Sequence, residues 1–208
     1  MLKRTIDFLI ALLAIVLLSP IFMWVALKVR RNLGSPIFFY QERPGKDCKH
    51  FKMIKFRSMK DAFDKDGKPL PDDQRITPFG KKLRSTSLDE MPQLLNVLKG
   101  DMSIVGPRPQ LPEFVEHYTS HQLRRHEVKP GMTGLAQVSG RNHLSWEEKF
   151  DLDVEYVESQ STVYDFKIMF KTVEVMMKKE GINAPDQSVG ATRFSGSNAS
   201  DSKSSSNH

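Results

Sequence analysis

The sequence contains a single cysteine, Cys48, among its 208 residues. A structural disulfide within the chain is therefore excluded, and so are zinc sites built from several cysteines. No thiol-activating motif surrounds Cys48, so the sequence gives it no catalytic role. Acidic side chains are also the minority, with 25 Asp and Glu against 31 Lys and Arg, for a formal charge of +6. This balance is typical of proteins that bind phosphate-rich partners such as nucleotides, nucleic acid or anionic membranes.

One long apolar run stands apart from an otherwise ordinary globular composition. Residues 8–27 are almost entirely apolar, and basic residues lie on both sides of them. About 20 helical residues at about 1.5 Å each would cross a bilayer core of about 30 Å. The run is long for a cleaved signal peptide and no small-residue cleavage site follows it. A helix that is apolar on every side also suits lipid better than a small core. We therefore expect residues 1–31 to form a membrane-anchoring helix.

Ser19 and Pro20 lie inside this run. Proline removes one helix hydrogen bond and clashes with the carbonyl four residues earlier, so a kink is expected here. The Ser19 hydroxyl can take up a backbone group that the proline frees. Because basic residues flank both ends, the positive-inside rule selects no orientation. Two arrangements stay open: a tilted spanning helix, and a re-entrant helix broken at Ser19-Pro20 whose ends return to the same face.

Residues 32–184 are predicted to form a mixed α/β domain with short strands and several helices. Strand-like runs at 36–41 and 50–59 enclose a turn-rich segment and predict a β-hairpin. A helix is expected to begin around 88–91, since proline is tolerated in a first turn, and to end at Gly100. The other predicted elements are helices over 78–84, 113–125, 145–159 (opened by a capping box at Ser145) and 165–180, and a short strand over 135–138.

Two further segments are predicted to lie in solvent. The basic run 124–126 is expected to be a solvated helix end, because charged side chains are seldom buried. Residues 185–208 are rich in Ser, Asn and Gly, which predicts a disordered tail. The run 124–126 could also touch phosphate or lipid headgroups, and the purpose of the tail is left open.

An acidic pair, Asp89 and Glu90, opens the predicted helix that ends at Gly100. The dipole and free amides of a helix N-terminus favour negative charge, so Asp89 is expected to stay ionised at neutral pH. The same amides can receive a phosphate. An ionised carboxylate beside an anion pocket suits nucleophilic attack on phosphorus, or metal binding, or both. Acidic residues are also the ordinary choice in a first helical turn, so the pair alone does not settle its role.

Basic residues accompany this pair along the chain. Arg84 precedes it, Lys99 and Arg108 follow it, and Lys55 and Arg57 lie on the preceding predicted strand. Arginine presents a planar fork that matches phosphate oxygens. Any one of these cations alone is typical of a solvated surface, whereas several of them around an acidic pair favour a phosphate-binding site.

These motifs, in their order and length, resemble the bacterial sugar transferase family, in particular the small monotopic phosphoglycosyl transferases that initiate polyprenyl-linked glycan assembly. The resemblance extends over nearly the whole chain to about Gly181 and leaves out the serine-rich tail. It rests on the apolar run with Ser19-Pro20 and on four stretches: FFYQERPG (38–45), FKMIKFRSM (51–59), LRSTSLDEMPQLLNVLKGDMSIVGPRP (83–109) and KPGMTGLAQVSGRN (129–142).

The resemblance implies a reaction. In this family the aspartate of the pair, here Asp89, attacks the sugar-bearing phosphorus of a UDP-sugar and expels UMP, and the phospho-sugar then passes to undecaprenyl phosphate. The adjacent glutamate, here Glu90, is associated with Mg²⁺. An N-acetylated hexose donor is expected, while UDP-galactose and UDP-glucose stay open, and the product would begin a capsule, O-antigen or glycoprotein glycan. The residues assigned to substrate phosphates are Lys55, Arg57, Arg84, Arg108 and Arg141.

The resemblance also favours the re-entrant form of the anchor, with Ser19 and Pro20 at the break and both ends on the cytoplasmic face of the bacterial inner membrane. Amphipathic segments such as 165–179 are expected to lie on the membrane surface. The expected partners are a UDP-sugar, undecaprenyl phosphate and membrane lipids, and not nucleic acid. A homodimer is left open.

Two other functions remain as alternatives. A basic, membrane-tethered module would bind anionic lipid or nucleic acid without chemistry, but it would not explain an acidic pair set among arginines. A catalytically silent relative would position other glycan enzymes, but the Asp89-Glu90 pair is intact. Strong salt-dependent binding to nucleic acid without release of UMP would favour the first alternative.

Overall fold

The computed structural model describes residues 1–140 and 144–178, and within them the fold is mixed, as predicted, with more helix than strand. The helices are α1 (Leu2–Leu33), α2 (Asp72–Arg75), α3 (Pro78–Ser85), α4 (Gln93–Lys99), α5 (Ser120–Leu123), α6 (Leu135–Ser139), α7 (Trp146–Ser159) and α8 (Thr162–Lys178). The strands are β1 (Phe38–Pro44), β2 (His50–Phe56), β3 (Ser103–Val105) and β4 (Gly131–Thr133). Short 3₁₀ turns lie at Lys46–Cys48, Leu88–Glu90, Pro112–His117 and Arg124–His126.

The predicted hairpin is confirmed. β1 and β2 pair antiparallel, in a register that sets Phe38 opposite Phe56. The outer edge of β2 is closed by Asn96 of α4, a fully buried side chain. Its amide donates to the Lys52 carbonyl at 2.8 Å, and its oxygen accepts from the Ile54 amide at 3.0 Å. Because both groups of the amide are used, Asn96 satisfies two backbone groups of the strand and fixes α4 against the hairpin.

The second sheet, formed by β3 and β4, fixes the loop that follows β3. β3 and β4 pair parallel, with Val105 opposite Thr133. At Gly131 a Cβ atom would lie 2.1 Å from the Gly106 amide nitrogen, so this position has no room for a side chain. The backbone of Gly106 is therefore packed directly against β4, which fixes the start of the rigid loop that carries Arg108.

Three sequence predictions in this region are wrong. The strand expected over 135–138 is the helix α6, since a short apolar run has no periodicity that separates a strand from a buried helical turn. The single helix expected over 113–125 is a 3₁₀ turn followed by α5, because Thr119 takes an extended conformation and starts a new helix through a capping box with Gln122. The solvated helix end expected at 124–126 is wrong for Arg125, which is buried.

Other local signals are confirmed. Ser145 and Glu148 form the predicted capping box at the start of α7. Gly100 ends α4 with φ 95°, in the left-handed region that suits glycine. The predicted helix over 165–180 starts three residues earlier, at Thr162, and its last two residues lie outside the described part of the chain. The predicted tail, 185–208, also lies outside it.

Helix α1 runs from Leu2 to Leu33 and continues through Pro20. The Ser19 hydroxyl donates to the Val16 carbonyl at 2.8 Å. Val16 is four residues before Pro20, so its carbonyl is the one that the proline leaves without an amide partner. The sequence predicts this role for Ser19. In the described ranges, α1 is the one helix long and apolar enough to cross a membrane, with 11% of its most apolar 18 residues buried.

Both halves of α1 contact the rest of the domain. In the N-terminal half, Lys3 Nζ donates to Asp165 of α8 at 2.7 Å, and Asp7 accepts from the Ser103 hydroxyl at 2.9 Å. The C-terminal half joins an apolar cluster with β2 and α3, whose buried members are Val25, Val29, Phe56 and Leu83. A second cluster joins the middle of the helix to β2 and α4, with buried members Ala11, Met53, Leu94, Val97 and Met102.

Candidate active site

The acidic pair lies in the 3₁₀ turn Leu88–Glu90, between α3 and α4. Ser87, which precedes it, has φ 55° and ψ 15°, in the left-handed region that residues other than glycine rarely adopt. α4 begins only after Pro92, which is its N-cap residue. The helix start predicted at 88–91 is therefore a 3₁₀ turn followed by the helix. Backbone held in a sparsely populated conformation is more frequent at functional sites than elsewhere.

Asp89 is buried, with 7% of its surface exposed. Burial raises the pKa of Asp89 to about 6, the charge of Glu90 adds to the rise, and nearby cations oppose it. The sequence also expected an ionised carboxylate, but on the ground that a helix dipole favours negative charge. At a pKa of about 6 the group is mostly ionised at pH 7, although its environment favours the neutral form. The cations that oppose the rise in the pKa of Asp89 are Lys55, Arg84 and Arg108.

Glu90 is held from two sides. Arg108 donates to its carboxylate from both terminal nitrogens, from Nη2 to Oε1 at 2.6 Å and from Nη1 to Oε2 at 3.2 Å. Lys55 Nζ donates to Oε1 at 2.8 Å. Burial alone would raise the pKa of Glu90, but Arg108 and Lys55 hold it well below its ordinary range. Glu90 is therefore ionised and fixed in orientation.

The two neighbouring carboxylates thus differ in their hydrogen bonding. Among residues 1–140 and 144–178, none makes a hydrogen bond to the side chain of Asp89, whereas Glu90 accepts three. A desolvated carboxylate whose lone pairs are not engaged is a better nucleophile than one shared between two cations. The geometry therefore separates a carboxylate that is available to act as a nucleophile, Asp89, from a carboxylate that is engaged with two cations, Glu90.

Arg84 stands on α3 beside this pair. Its Nε donates to the Ser58 hydroxyl at 3.0 Å, and its positive charge lowers the pKa of Asp89. Nη1 of Arg84 is shielded from solvent and has no hydrogen-bond partner in the described part of the chain. A buried guanidinium nitrogen without a partner is costly unless a ligand provides an acceptor. Arg84 is accordingly well placed to receive an anion near Asp89.

The structure brings together Lys55, Arg84 and Arg108 of the predicted phosphate-binding residues, and it places Arg57 elsewhere. The Arg57 guanidinium donates to the carbonyls of Leu33 and Ser35 and to Asp61. It therefore ties the end of α1 to β2, and its assignment to a substrate phosphate stays a prediction without a contact to the acidic pair. Arg141 lies outside the described residues, and its role also stays a prediction.

Sequence reasoning missed Arg43, whose charge interacts with Arg108 and Glu90. The signal was present, because alternate residues of a strand share a face. Arg43 and Lys55 lie on the same face of the hairpin once its register is known. Sequence reasoning also missed Arg125, whose Nη2 donates to the backbone carbonyl of Arg108 at 2.7 Å. Nothing in the local sequence distinguishes Arg125 from its solvated neighbour Arg124.

The carboxylates of the site determine whether it can hold Mg²⁺. Among the described residues, no three His, Cys, Asp or Glu side chains come together as a ready metal site. Mg²⁺, however, commonly keeps several waters and uses one or two carboxylates together with substrate phosphates. Glu90 is ionised, and among residues 1–140 and 144–178 its Oε2 accepts only the longer bond from Arg108. The donor set fits Mg²⁺ that arrives with a phosphorylated substrate, and Glu90, next to Asp89, would hold it.

The whole described chain matches a known family. The sequence model described as "Bacterial sugar transferase" matches residues 1–179. An uncharacterized sugar transferase of Bacillus subtilis, EpsL, is 50% identical over 94% of this chain and 96% of its own length. A UDP-galactose-lipid carrier transferase of Erwinia amylovora is 42% identical over 86% of this chain, and the UDP-glucose:undecaprenyl-phosphate glucose-1-phosphate transferase of Escherichia coli is 42% identical over 83%. The match spans 41% and 39% of the lengths of these last two relatives.

Proposed function

The chain belongs to the bacterial sugar transferase family, and we propose that it transfers a phospho-sugar from a UDP-sugar to undecaprenyl phosphate with release of UMP. Two relatives support the substrate classes, since their names specify a UDP-sugar, a lipid carrier or undecaprenyl phosphate. The donor sugar is proposed to be an N-acetylated hexose, with galactose and glucose as the competitors that those names bring. The product would be the first lipid-linked sugar of a glycan.

One observation carries the mechanism: Asp89 is buried, mostly ionised and free of hydrogen bonds from the described residues, beside a Glu90 that is fixed by two cations. Attack on phosphorus needs a carboxylate oxygen whose electron pair is available. It also needs positive charge around the phosphorus, because charge builds on the phosphate oxygens in the transition state. Asp89 supplies the first, and the surrounding cations supply the second.

The proposed reaction has two balanced displacements at one phosphorus atom. An Asp89 oxygen bonds to the sugar-bearing phosphorus, the bond from that phosphorus to the bridging oxygen breaks, and UMP leaves with the electron pair. A phosphate oxygen of undecaprenyl phosphate then attacks the same phosphorus. The bond to Asp89 breaks, the carboxylate is restored, and undecaprenyl diphosphate sugar is released. No net proton is taken up or lost at Asp89, so the cycle needs no further acid or base on that group.

The remaining residues orient charge around these steps. Arg84 would bind a phosphate oxygen through its unpartnered Nη1, and Arg108 and Lys55 would hold Glu90 while facing the substrate diphosphate. Bound Mg²⁺ would neutralise charge on the diphosphate and on departing UMP. Phosphate binding by Arg57 and Arg141 is also part of the proposal, although the Arg57 guanidinium binds carbonyls at the end of α1 and Arg141 lies outside the described residues.

The anchor is proposed to be re-entrant at Ser19-Pro20. In a spanning helix, Lys3 and Asp7 would lie on the opposite side of the membrane from the domain. In this protein Lys3 donates to Asp165 of the domain, and Asp7 accepts from Ser103. The C-terminal half of the helix packs on the domain as well. Contacts at both ends support an anchor that enters and leaves the membrane on one face.

The membrane surface is proposed to lie along α8 as well. Exposed apolar side chains recur on this helix at spacings of three and four residues, which places them on one face. They are Val163, Phe166, Phe170, Val173 and Met177. A helix with such a face lies in the headgroup region of a bilayer. On this basis we propose that the domain rests on the cytoplasmic face of the inner membrane, where a soluble donor and a lipid-borne acceptor meet.

The test is release of UMP by the detergent-solubilised full chain from a panel of UDP-sugars, with undecaprenyl phosphate and Mg²⁺ present. The panel contains N-acetylated hexoses, galactose and glucose. Asp89→Asn is compared with Asp66→Asn, which changes an exposed aspartate in a loop. We expect release from one donor by the wild type and by Asp66→Asn, and less than about 1% of that rate by Asp89→Asn, since removal of a nucleophile costs several powers of ten. Folded wild type that releases no UMP from any donor would overturn the proposal.

A further inference from the structure

The hairpin directs Arg43 toward the acidic pair. In the register of β1 and β2, Phe39 lies opposite Lys55 and Arg43 lies opposite Phe51. Because strand side chains alternate between faces, Arg43 and Lys55 project from the same face. Lys55 on that face reaches Glu90 at 2.8 Å. The face that carries Arg43 is thus the face that borders the site.

The guanidinium of Arg43 has no acidic partner among the described residues. Its Nη2 donates to the neutral amide oxygen of Gln41 at 2.8 Å. Its Nε is shielded from solvent and has no hydrogen-bond partner in the described ranges. Arg125 gives the contrast, since it is buried with an ion pair to Asp153 at 2.6 Å. A half-buried arginine is ordinarily paired, so Arg43 has hydrogen-bonding capacity that these residues leave unused.

The charges of the site are also out of balance. The four cations are Lys55, Arg84, Arg108 and Arg43, whereas the carboxylates that act on them are Asp89, Glu90 and, on Arg43, Glu113. The formal charges therefore leave one positive charge in excess. Burial, followed by the neighbouring charge of Arg108, lowers the pKa of Arg43 to about 10, so it stays protonated at neutral pH. The diphosphate of a nucleotide-sugar carries about one negative charge on each of its two phosphates, so its charge is complementary to this excess.

We propose that Arg43 is a further substrate-binding residue, which donates to a phosphate oxygen while Gln41 fixes the orientation of its guanidinium. The proposal rests on the proposed function of the site. The phosphate could belong to the UDP-sugar or to undecaprenyl phosphate, because both present the same oxygens. The position of Arg43 next to Arg108 favours the diphosphate of the donor, and the two half-reactions distinguish these sources.

The test compares Arg43→Gln and Arg43→Lys with Lys52→Gln, which removes an exposed cation from the other face of the same hairpin. Binding of UDP to each full-length, detergent-solubilised protein is measured by calorimetry. The two half-reactions are then followed separately, as UMP release without acceptor and as transfer to undecaprenyl phosphate. Thermal unfolding of each variant shows whether it is folded, and Arg43→Lys takes the place of Arg43→Gln if the latter is not.

We expect Arg43→Gln to weaken UDP binding about 10- to 100-fold and Arg43→Lys about 3- to 10-fold, because lysine keeps the charge but not the fork. Lys52→Gln should bind as the wild type does. Unchanged UDP binding with a raised KM for undecaprenyl phosphate alone would assign Arg43 to the acceptor. Unchanged affinity for both, in a wild type that is active, would overturn the role of Arg43. A wild type that neither binds UDP nor releases UMP would instead overturn the proposed function itself.

Discussion

Arg125 donates a hydrogen bond from Nη2 to the backbone carbonyl of Arg108 at 2.7 Å. The Arg125 side chain is buried, pairs with Asp153 at 2.6 Å and donates to the Tyr118 hydroxyl at 2.8 Å. Arg108 in turn holds Glu90. An ion pair in the core between the 3₁₀ turn Arg124–His126 and α7 therefore fixes the backbone of a cation in the active site.

Removal of Asp153 should destabilise the fold. Asp153→Ala leaves the Arg125 charge buried without its partner, and we expect a loss of about 3–5 kcal/mol in the free energy of unfolding. Chemical denaturation in detergent measures it. Glu158→Ala, which removes the exposed partner of Arg124, is the control and should leave the free energy of unfolding close to that of the wild type. Equal stability of the two variants would show that the buried pair does not support the fold.

The grip of Arg108 on Glu90 predicts a difference between arginine and lysine. Arg108→Lys keeps the charge but cannot form the bidentate hydrogen bonds to Glu90, so kcat/KM for UMP release should fall about 10-fold or more. Arg75→Lys changes an arginine whose ion-pair partner is Asp72 and not the acidic pair, so it should leave kcat/KM unchanged. A lysine variant as active as the wild type would mean that charge alone is needed at position 108.

The pKa of Asp89 predicts the pH dependence of the first displacement. Burial raises this pKa above its ordinary value to about 6, and the attacking form is the ionised one. The rate of UMP release should therefore rise with pH through about 6 and level off above it. Arg84→Gln removes a charge that lowers the pKa of Asp89, so it should move the midpoint upward. A profile that is flat from pH 5 to pH 8, or that falls with rising pH, would contradict this assignment.

The anchor proposal predicts which side of the membrane the N-terminus occupies. In a Cys48→Ser background, Leu2→Cys and Lys65→Cys are treated with a membrane-impermeant maleimide in right-side-out and inverted vesicles. Both residues are exposed in the fold. A re-entrant helix predicts that both cysteines react only in inverted vesicles. Reaction of Leu2→Cys in right-side-out vesicles, with Lys65→Cys protected there, would indicate a spanning helix.

Local features of the fold were predictable from the sequence because their causes are local. The hydroxyl of Ser19 covers the carbonyl of Val16, which Pro20 leaves without a donor, and this follows from the spacing of three residues. The hairpin and the capping box at Ser145 depend likewise on neighbouring residues. The family resemblance then implied a nucleophilic role for Asp89, which composition and spacing alone left undecided.

The features that sequence reasoning missed are set by packing between distant segments. Arg125 and Arg124 are adjacent cations, yet one is buried against Asp153 and the other faces solvent with Glu158. Arg57 lies two residues after Lys55, but its guanidinium binds carbonyls at the end of α1 instead of the acidic pair. The direction of the Asp89 pKa shift also depends on burial, which neighbouring residues in the sequence do not reveal.

The most direct test of the account is the mass of the intact protein after incubation with UDP-sugar and Mg²⁺ in the absence of acceptor. The wild type should gain the mass of one phospho-sugar, located at Asp89 by peptide mapping and removed by hydroxylamine or by undecaprenyl phosphate. Asp89→Asn should gain nothing, and Asp66→Asn should behave as the wild type. An adduct that forms equally on Asp89→Asn, or sugar transfer by a wild type whose mass never changes, would contradict Asp89 as the nucleophile.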